Sequence, residues 1–116
     1  MAEQEISPAG IKVLLSIDPI IHAPARLSVL TYLYVVDRSD FLFLKNMTGL
    51  TWGNLSTHLT KLEEAGYVMI EKQFRGKKPH TMIRLTGSGR AAFRAYKEDM
   101  QRVLDDLPEE TTAISL

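Results

Sequence analysis

The stretch Gly49–Val68, which reads GLTWGNLSTHLTKLEEAGYV, decides the fold of this 116-residue chain. Its leucines recur at the spacing of one face of an α-helix, at Leu55, Leu59 and Leu62. Thr51 precedes this stripe as an N-cap and Gly66 follows it as a stop signal, so the sequence predicts a helix over Trp52–Ala65. The remaining positions of this helix are mostly polar, which indicates that they lie outside the core.

Upstream of this segment the sequence predicts further helices. Asp40 is a good N-cap for a short helix over Phe41–Thr48 that ends at Gly49, with a one- or two-residue strand at Phe41 as the alternative. A longer helix is predicted over Pro24–Val36, preceded by a turn over Pro19–His22. Its predicted buried stripe is Leu27, Leu30, Thr31, Tyr34 and Val35. The pair Ser7-Pro8 starts an N-terminal helix, residues 7–17.

Downstream, the pattern changes to a hairpin and one last helix. Tyr67–Phe74 and His80–Leu85 alternate like strands and flank a predicted turn at Arg75–Pro79. Thr86 then caps a predicted helix over residues 87–107, and residues 108–116 are predicted to be a flexible tail. The predicted apolar face of this last helix is Ala91, Ala92, Ala95, Tyr96, Met100, Val103 and Leu107.

The order of these elements predicts a fold class. Two helices joined by a tight turn at Gly49, followed at once by a hairpin, are typical of a winged helix-turn-helix. We therefore expect an α+β, mostly α, single domain over residues 1–116. Its helical core covers residues 24–65 and its wing residues 67–85. The N- and C-terminal helices are predicted to be dimerisation helices, because a minimal winged-helix core needs neither of their apolar faces.

The charge of the chain is zero overall but unevenly distributed. Residues 72–97 hold eight basic and no acidic side chains, whereas residues 98–116 hold six acidic side chains and one arginine. A nucleic-acid partner requires local positive potential rather than net charge. The charge pattern therefore favours double-stranded DNA as a partner of the segment around the predicted turn. We interpret Arg90, Arg94 and Lys97 as a solvated helix face.

The quoted stretch resembles the recognition-helix segment of MarR/ArsR-like winged-helix regulators, on the residues NLSTHLTKLEEAGYV. Ile17–Leu33 is similar to the first helix of a subgroup of small winged-helix regulators, and Arg84–Phe93 to the end of the wing and the start of the next helix. Together the resemblance covers Ile17 to Leu107. It implies a transcription factor that binds DNA as a homodimer.

A recognition helix needs polar side chains near its N-terminus, where base edges lie closest, and cations that reach phosphates. In this helix, residues 52–65, such side chains are plentiful, and the wing, residues 74–80, adds cations at a position where no core can form. Trp52 has two open interpretations, a contact with DNA or packing against the helix-turn-helix elbow. The candidate DNA-binding residues are Thr51, Trp52, Asn54, Ser56, Thr57, His58, Lys61, Lys72, Arg75, Lys77, Lys78 and His80.

Other functions have little support in the sequence. The chain has no cysteine, and its three histidines, His22, His58 and His80, show no metal-ligand spacing, so we predict no metal and no cofactor. No catalytic motif is present, so we predict no enzyme. The apolar stretches are too short to cross a bilayer, and we expect a cytoplasmic protein without a membrane partner.

The sequence thus predicts a sequence-specific DNA-binding transcriptional regulator, a repressor, that acts as a homodimer. One alternative is a winged helix that binds other proteins, because a fold does not determine a function. The other is a ligand-responsive MarR-like regulator with an unidentified small-molecule effector in the dimer cleft. The operator, the regulated genes and the half-site spacing do not follow from the sequence.

Overall fold

The computed structural model describes residues 8–111 of the chain. They divide into two compact units, one over Asp18–Phe93 and the other formed by the segments on either side of it. The predicted fold class is confirmed, since the chain is mostly helical with one small antiparallel sheet. In chain order the elements are α1 (Pro8–Val13), a 3-10 turn (Leu14–Ser16), α2 (Pro24–Val36), β1 (Arg38–Asp40), α3 (Phe41–Thr48), α4 (Trp52–Glu64), β2 (Val68–Arg75), β3 (Lys78–Leu85) and α5 (Gly87–Asp105).

The helix-turn-helix, α3 and α4, is built from the local signals that predict it. The Asp40 carboxylate accepts the backbone N–H of Phe43 at 2.7 Å and so caps α3. The Thr51 hydroxyl accepts the N–H of Asn54 at 3.1 Å and caps α4. Between them Gly49 has a φ of 73°, a left-handed conformation that glycine adopts without steric cost. The turn is therefore short and its angle is set by the backbone.

The core of the Asp18–Phe93 unit lies between α2, α4 and the sheet. The predicted leucine stripe of α4 is buried. In α2, Leu30 is buried as predicted. The rest of the predicted stripe is partly wrong, because Thr31 and Val35 are exposed, whereas Val29 and Leu33, which were not in it, are buried. α2 carries apolar residues on nearly every side, so its periodicity does not select one face.

The sheet has the order β1-β3-β2, and its first strand lies where none is predicted. β1 pairs antiparallel with Met82–Arg84 of β3. The alternative prediction of a strand at Phe41 is wrong, because Phe41 starts α3. β1 consists of three polar residues, so no apolar alternation predicts a strand there. It becomes a strand because its backbone pairs with β3, which is distant in the sequence.

The hairpin is longer and tighter than predicted. Arg75 pairs with Lys78, which leaves a two-residue turn at Gly76-Lys77 in place of the predicted five-residue turn at Arg75–Pro79. Gly76 has a φ of 64°, as expected for glycine at the first central position of a II′ turn. Pro79 lies inside β3 without breaking it, because β1 covers only Met82–Arg84 and leaves the edge beside Pro79 open.

The second unit contains α1, the 3-10 turn and α5 from Arg94 onward. Tyr96 and Val103 are buried as predicted. Ala91 and Ala95, predicted on the apolar face of α5, are exposed, and so is Leu107, which lies beyond the end of the helix; Phe93, absent from that prediction, is buried. Alanines have too little surface to decide which face of a helix is covered.

Two predictions at the chain ends reach past residues 8–111. The proposed N-cap Ser7 and most of the predicted tail lie outside the described residues. α1 and the 3-10 turn occupy the rest of the predicted N-terminal helix. None of the helices within residues 8–111 is both long enough and apolar enough to cross a membrane.

Candidate nucleic-acid interface

The outer face of α4 presents five of the twelve candidate DNA-binding residues to solvent. Its leucines are turned into the core, and this orientation leaves the intervening positions exposed. Thr51 caps the helix with its side chain, so its hydroxyl is already engaged by the backbone. The exposed polar or aromatic candidates on the helix itself are Trp52, Asn54, Ser56, Thr57 and Lys61.

Trp52 packs against α3 and is also exposed. Its indole stacks on the ring of Phe41 with 4.9 Å between centroids and an interplanar angle of 8°. The Lys45 ammonium lies 5.5 Å from the centroid of the indole ring, within cation–π distance. Trp52 is nevertheless 57% exposed. Packing at the elbow is therefore observed, and it holds a large aromatic surface at the start of α4.

Sequence reasoning missed the two α3 residues in this cluster. Phe41 and Lys45 are four residues apart, so both lie on one face of α3. That spacing was available in the sequence, but nothing local shows that this face of α3 meets the start of α4. Lys45 consequently brings a positive charge to the N-terminus of α4, where the sequence alone places none.

His58 contacts the protein on the inner side of α4. Its Nδ1 lies 3.3 Å from a guanidinium nitrogen of Arg26, which also donates to the carbonyl oxygens of Ile20 at 2.6 Å and Pro19 at 3.3 Å. Burial lowers the pKa of His58, and the positive charges of Arg26 and Lys61 lower it further. The contact with Arg26 thus connects α4 to α2.

The hairpin carries the largest group of cations without an acidic partner. Lys72, Arg75, Lys77 and Lys78 are exposed, and none of them forms an ion pair with a carboxylate among residues 8–111. His80 is half-buried opposite Gln73. A cluster of unpaired cations at a hairpin tip produces a local positive potential, which is what a phosphate backbone attracts.

Two basic residues of the same sequence window, Arg84 and Arg90, contact other groups of the protein. Arg90 was expected on a solvated face, and that prediction is wrong. Its guanidinium donates to the Tyr34 carbonyl oxygen at 3.3 Å and to the Asp37 carboxylate at 3.1 Å, which satisfies the C-terminal end of α2. Arg84 lies 3.6 Å from the Glu71 carboxylate and donates to the sulfur of Met69.

A groove runs between α4 and the hairpin. One part is lined by Trp52 and Ser56 of α4, Phe41 of α3 and Pro79–Thr81 of β3. The adjoining part has Ser56, Leu59, Thr60 and Glu63 of α4 on one side, and Ile70, Lys72 and Thr81 of the sheet on the other. The candidate residues that line this groove are Trp52 and Ser56 of the helix and Lys72 and His80 of the hairpin. Its two parts share Phe41, Ser56 and Thr81.

A further tether fixes the turn that follows α4. The Tyr67 hydroxyl donates a hydrogen bond to the Asp18 carboxylate. This hydrogen bond, together with burial and the negative charge of Asp18, raises the pKa of Tyr67 to about 12. The pairing joins the loop before α2 to the junction between α4 and β2, so it helps to set the angle between the helix and the hairpin.

The described residues contain no cluster that fits a metal ion. Within residues 8–111, no group of three or more histidine or carboxylate side chains has the arrangement of a metal site. His22 precedes α2, His58 lies on α4 and His80 on β3.

Comparison with known proteins identifies similar chains. A family model described as "Winged helix DNA-binding domain" matches residues 25–104. An uncharacterised protein of Methanocaldococcus jannaschii is 39% identical over 77 residues, which is 66% of this chain and 84% of that protein. The expected resemblance to winged-helix regulators is thereby confirmed.

Solved structures share the fold. A transcriptional regulator homologue from Pyrococcus horikoshii has a TM-score of 0.77 at 26% identity, over 81% of this chain and 95% of that one. Overoxidized AbfR bound to DNA has a TM-score of 0.65 at 23% identity, over 79% and 67% of the two chains. A MarR-family regulator from Silicibacter pomeroyi has a TM-score of 0.59 at 18% identity, over 84% and 62%.

Proposed function

This chain belongs to the winged-helix DNA-binding domain family, and from that membership we propose that it represses transcription as a homodimer bound to a specific double-stranded DNA site. In this proposal α4 enters the major groove and the hairpin tip contacts the backbone or the minor groove beside it. A two-fold dimer binds a pseudo-palindrome with half-sites about one helical turn apart. AbfR, a protein of the same fold, has been solved on DNA, which supports this partner.

One observation carries the proposal. The polar side of α4 and the hairpin border one groove, which Ser56 lines from the helix and Lys72 and His80 line from the strands, within one compact unit. Three further exposed cations lie at the tip of the same hairpin, at Arg75, Lys77 and Lys78. Asn54 and Ser56 supply the donors and acceptors that read base edges. Lys45, Lys61, Lys77 and Lys78 supply charge for phosphates, and these contacts give affinity and register without direct sequence information.

The homodimer is proposed from the exposed apolar side chains of the second unit. Leu15 is 89% exposed, and Ile11, Leu14, Leu104 and Leu107 are each between 44% and 57% exposed. We expect a second copy to cover these side chains, because exposed apolar patches mark interaction sites. Covering them with a second copy removes them from water, at roughly 25 cal/mol for each Å² buried.

Sedimentation at micromolar concentration tests the dimer. We expect a dimeric wild type, and a monomeric Leu15→Lys variant because a charge would be buried in the interface. Val35→Lys is the matched control, since Val35 is 79% exposed and lies on α2, outside the second unit. A monomeric wild type would refute the proposed dimer.

The proposal includes no catalysis and no cofactor. The proposed ligand is DNA. Because a regulator must reach the DNA that carries its operator, we expect the protein in the cytoplasm. A small-molecule effector in the dimer cleft stays an alternative mode of regulation.

Selection from a random DNA pool, followed by fluorescence anisotropy at several salt concentrations, tests DNA binding. We expect selection of a pseudo-palindromic motif. The Lys77→Ala/Lys78→Ala variant should lower the salt slope by about 0.9 for each lost phosphate contact. The matched control is Lys12→Ala/Lys97→Ala, which removes the same charge outside the Asp18–Phe93 unit. If a folded, dimeric sample binds no duplex at low salt, the DNA-binding proposal is refuted and the alternative of a winged helix that binds other proteins takes its place.

A further inference from the structure

An apolar pair lies at the tip of the basic hairpin. Phe74 and Pro79 are directly opposite each other in the register of β2 and β3. Phe74 is 74% exposed and Pro79 is exposed as well. Opposite residues of an antiparallel pair project from the same face of the sheet with Cβ atoms roughly 4.5–5.5 Å apart. The two side chains therefore form one small exposed apolar surface.

This surface lies on the side of the hairpin that faces α4. Side chains alternate along β2, so Phe74 projects to the same side as Ile70 and Lys72. Ile70 and Lys72 line the groove opposite α4. Pro79 is four residues from the buried Ile83, which at the strand rise corresponds to roughly 13 Å beyond the core. Phe74 is therefore held beyond the core, on the side where a duplex bound to α4 would lie.

The hairpin around this pair ends in a tight turn. Its strands are joined by a two-residue turn, and Pro79 has a fixed φ. Because the backbone at Phe74 is already paired in the hairpin, covering this side chain requires little further ordering of the backbone.

The charges around the pair indicate what covers it. Four cations flank it, at Lys72, Arg75, Lys77 and Lys78, and none has an ion-pair partner in the described part of the chain. A partner must therefore offer negative charge around an apolar surface. Duplex DNA does so, since phosphates border each groove and the stacked bases lie between them.

We propose that Phe74, backed by Pro79, enters the minor groove as a wedge between two adjacent base pairs. This inference rests on the proposed DNA-binding function and adds a mode of recognition to it. Apolar wedges partly unstack a base step and kink the duplex, and pyrimidine–purine steps such as TA and CA/TG unstack most readily. The hairpin thereby selects a deformable step without hydrogen-bonding to its bases.

The test uses the full-length protein and its selected duplex. 2-Aminopurine, whose fluorescence rises on unstacking, replaces one adenine at the step that hydroxyl-radical footprinting places under the hairpin. With wild type we expect a rise in fluorescence on binding. With Phe74→Ala we expect no rise and an affinity about tenfold lower, within the range measured for loss of an aromatic–base stack. The salt slope should stay unchanged, because no cation is removed.

Two further variants keep the test selective. Phe74→Leu retains an apolar wedge and should keep most of the fluorescence rise. Val35→Ala truncates another highly exposed apolar residue and should change neither affinity nor fluorescence. Because Phe74 makes little contact with the core, thermal unfolding of Phe74→Ala should match that of wild type.

The outcomes separate this inference from the proposed function. If wild type selects no duplex, the proposed function fails first. If wild type binds its site tightly but the fluorescence does not rise, or if Phe74→Ala binds and unstacks as wild type does, the wedge is refuted and DNA binding stands.

Discussion

Gly53→Ala should change stability and DNA affinity in opposite directions. Gly53 is the second residue of α4, and a Cβ added there would have no heavy atom within 4 Å in the chain. Its φ is not positive, so alanine fits the backbone without strain. Alanine reduces the entropy of the unfolded chain and prefers the helix, which stabilises the fold by about 0.5–1 kcal/mol.

The same methyl should weaken DNA binding. Gly53 lies between Trp52 and Asn54 at the end of α4 that is proposed to enter the major groove. The absence of protein atoms near its Cβ position excludes close packing against α3 as the reason for glycine. In the proposed complex this glycine lets the helix backbone approach DNA closely. An added methyl group there would overpack the interface and cost about 1–3 kcal/mol of binding free energy. Affinity should then fall by roughly tenfold, since each 1.4 kcal/mol is a factor of ten.

Gly87→Ala is the matched control for this experiment. Gly87 is the first residue of α5, and its added Cβ also meets nothing within 4 Å. It should stabilise the fold similarly and leave the affinity unchanged. Denaturant unfolding gives the stability, and fluorescence anisotropy on the selected duplex gives the affinity. The reasoning is refuted if Gly53→Ala binds DNA as tightly as Gly87→Ala, or if it unfolds more easily than wild type.

Two further predictions concern the scaffold that supports the interface. Gly89→Ala should destabilise by about 1–3 kcal/mol or more in denaturant unfolding, because its Cβ would lie 2.1 Å from the Tyr67 carbonyl oxygen. Stability equal to that of Gly87→Ala would contradict the assigned contact. Stability should also fall as pH drops below 6.5, because burial and Arg26 lower the pKa of His58 in the folded protein, so the unfolded chain binds the proton first. The variant His58→Gln should lose less stability over the same pH range. If its stability depends on pH as that of wild type does, this role of His58 is refuted.

The helix-turn-helix was predictable because its signals are local. Asp40 and Thr51 cap their helices from within three residues of the N–H groups they accept, and Gly49 takes the left-handed conformation at the turn. The strand alternation of the hairpin is also local. These features need no knowledge of distant residues, and the sequence therefore predicts their bounds to within a few positions.

The sequence predictions fail where residues distant in the chain determine the local structure. β1 exists because its backbone pairs with β3, more than 40 positions later. The face of α2 that is buried depends on where α4 and the sheet pack against it. Val35 lies outside these contacts and is exposed, although it is apolar. Trp52 is positioned by Phe41 and Lys45, which belong to a different helix. None of these contacts follows from a periodicity, because each depends on how the elements pack.

The charge of the chain shows the same difference between composition and placement. The basic window 72–97 suggests a broad cationic face. However, Arg84 pairs with Glu71, and Arg90 donates a hydrogen bond to the Tyr34 carbonyl oxygen in the last turn of α2. Within this window, Lys72, Arg75, Lys77 and Lys78 lack a carboxylate partner in the described chain, and these four cluster around Gly76. Because phosphate contacts set the salt dependence of DNA binding, that dependence should come largely from this tip and from the lysines of α3 and α4. Zero net charge is thus compatible with a DNA-binding surface, since internal ion pairs and acidic segments elsewhere balance the sum without screening the tip.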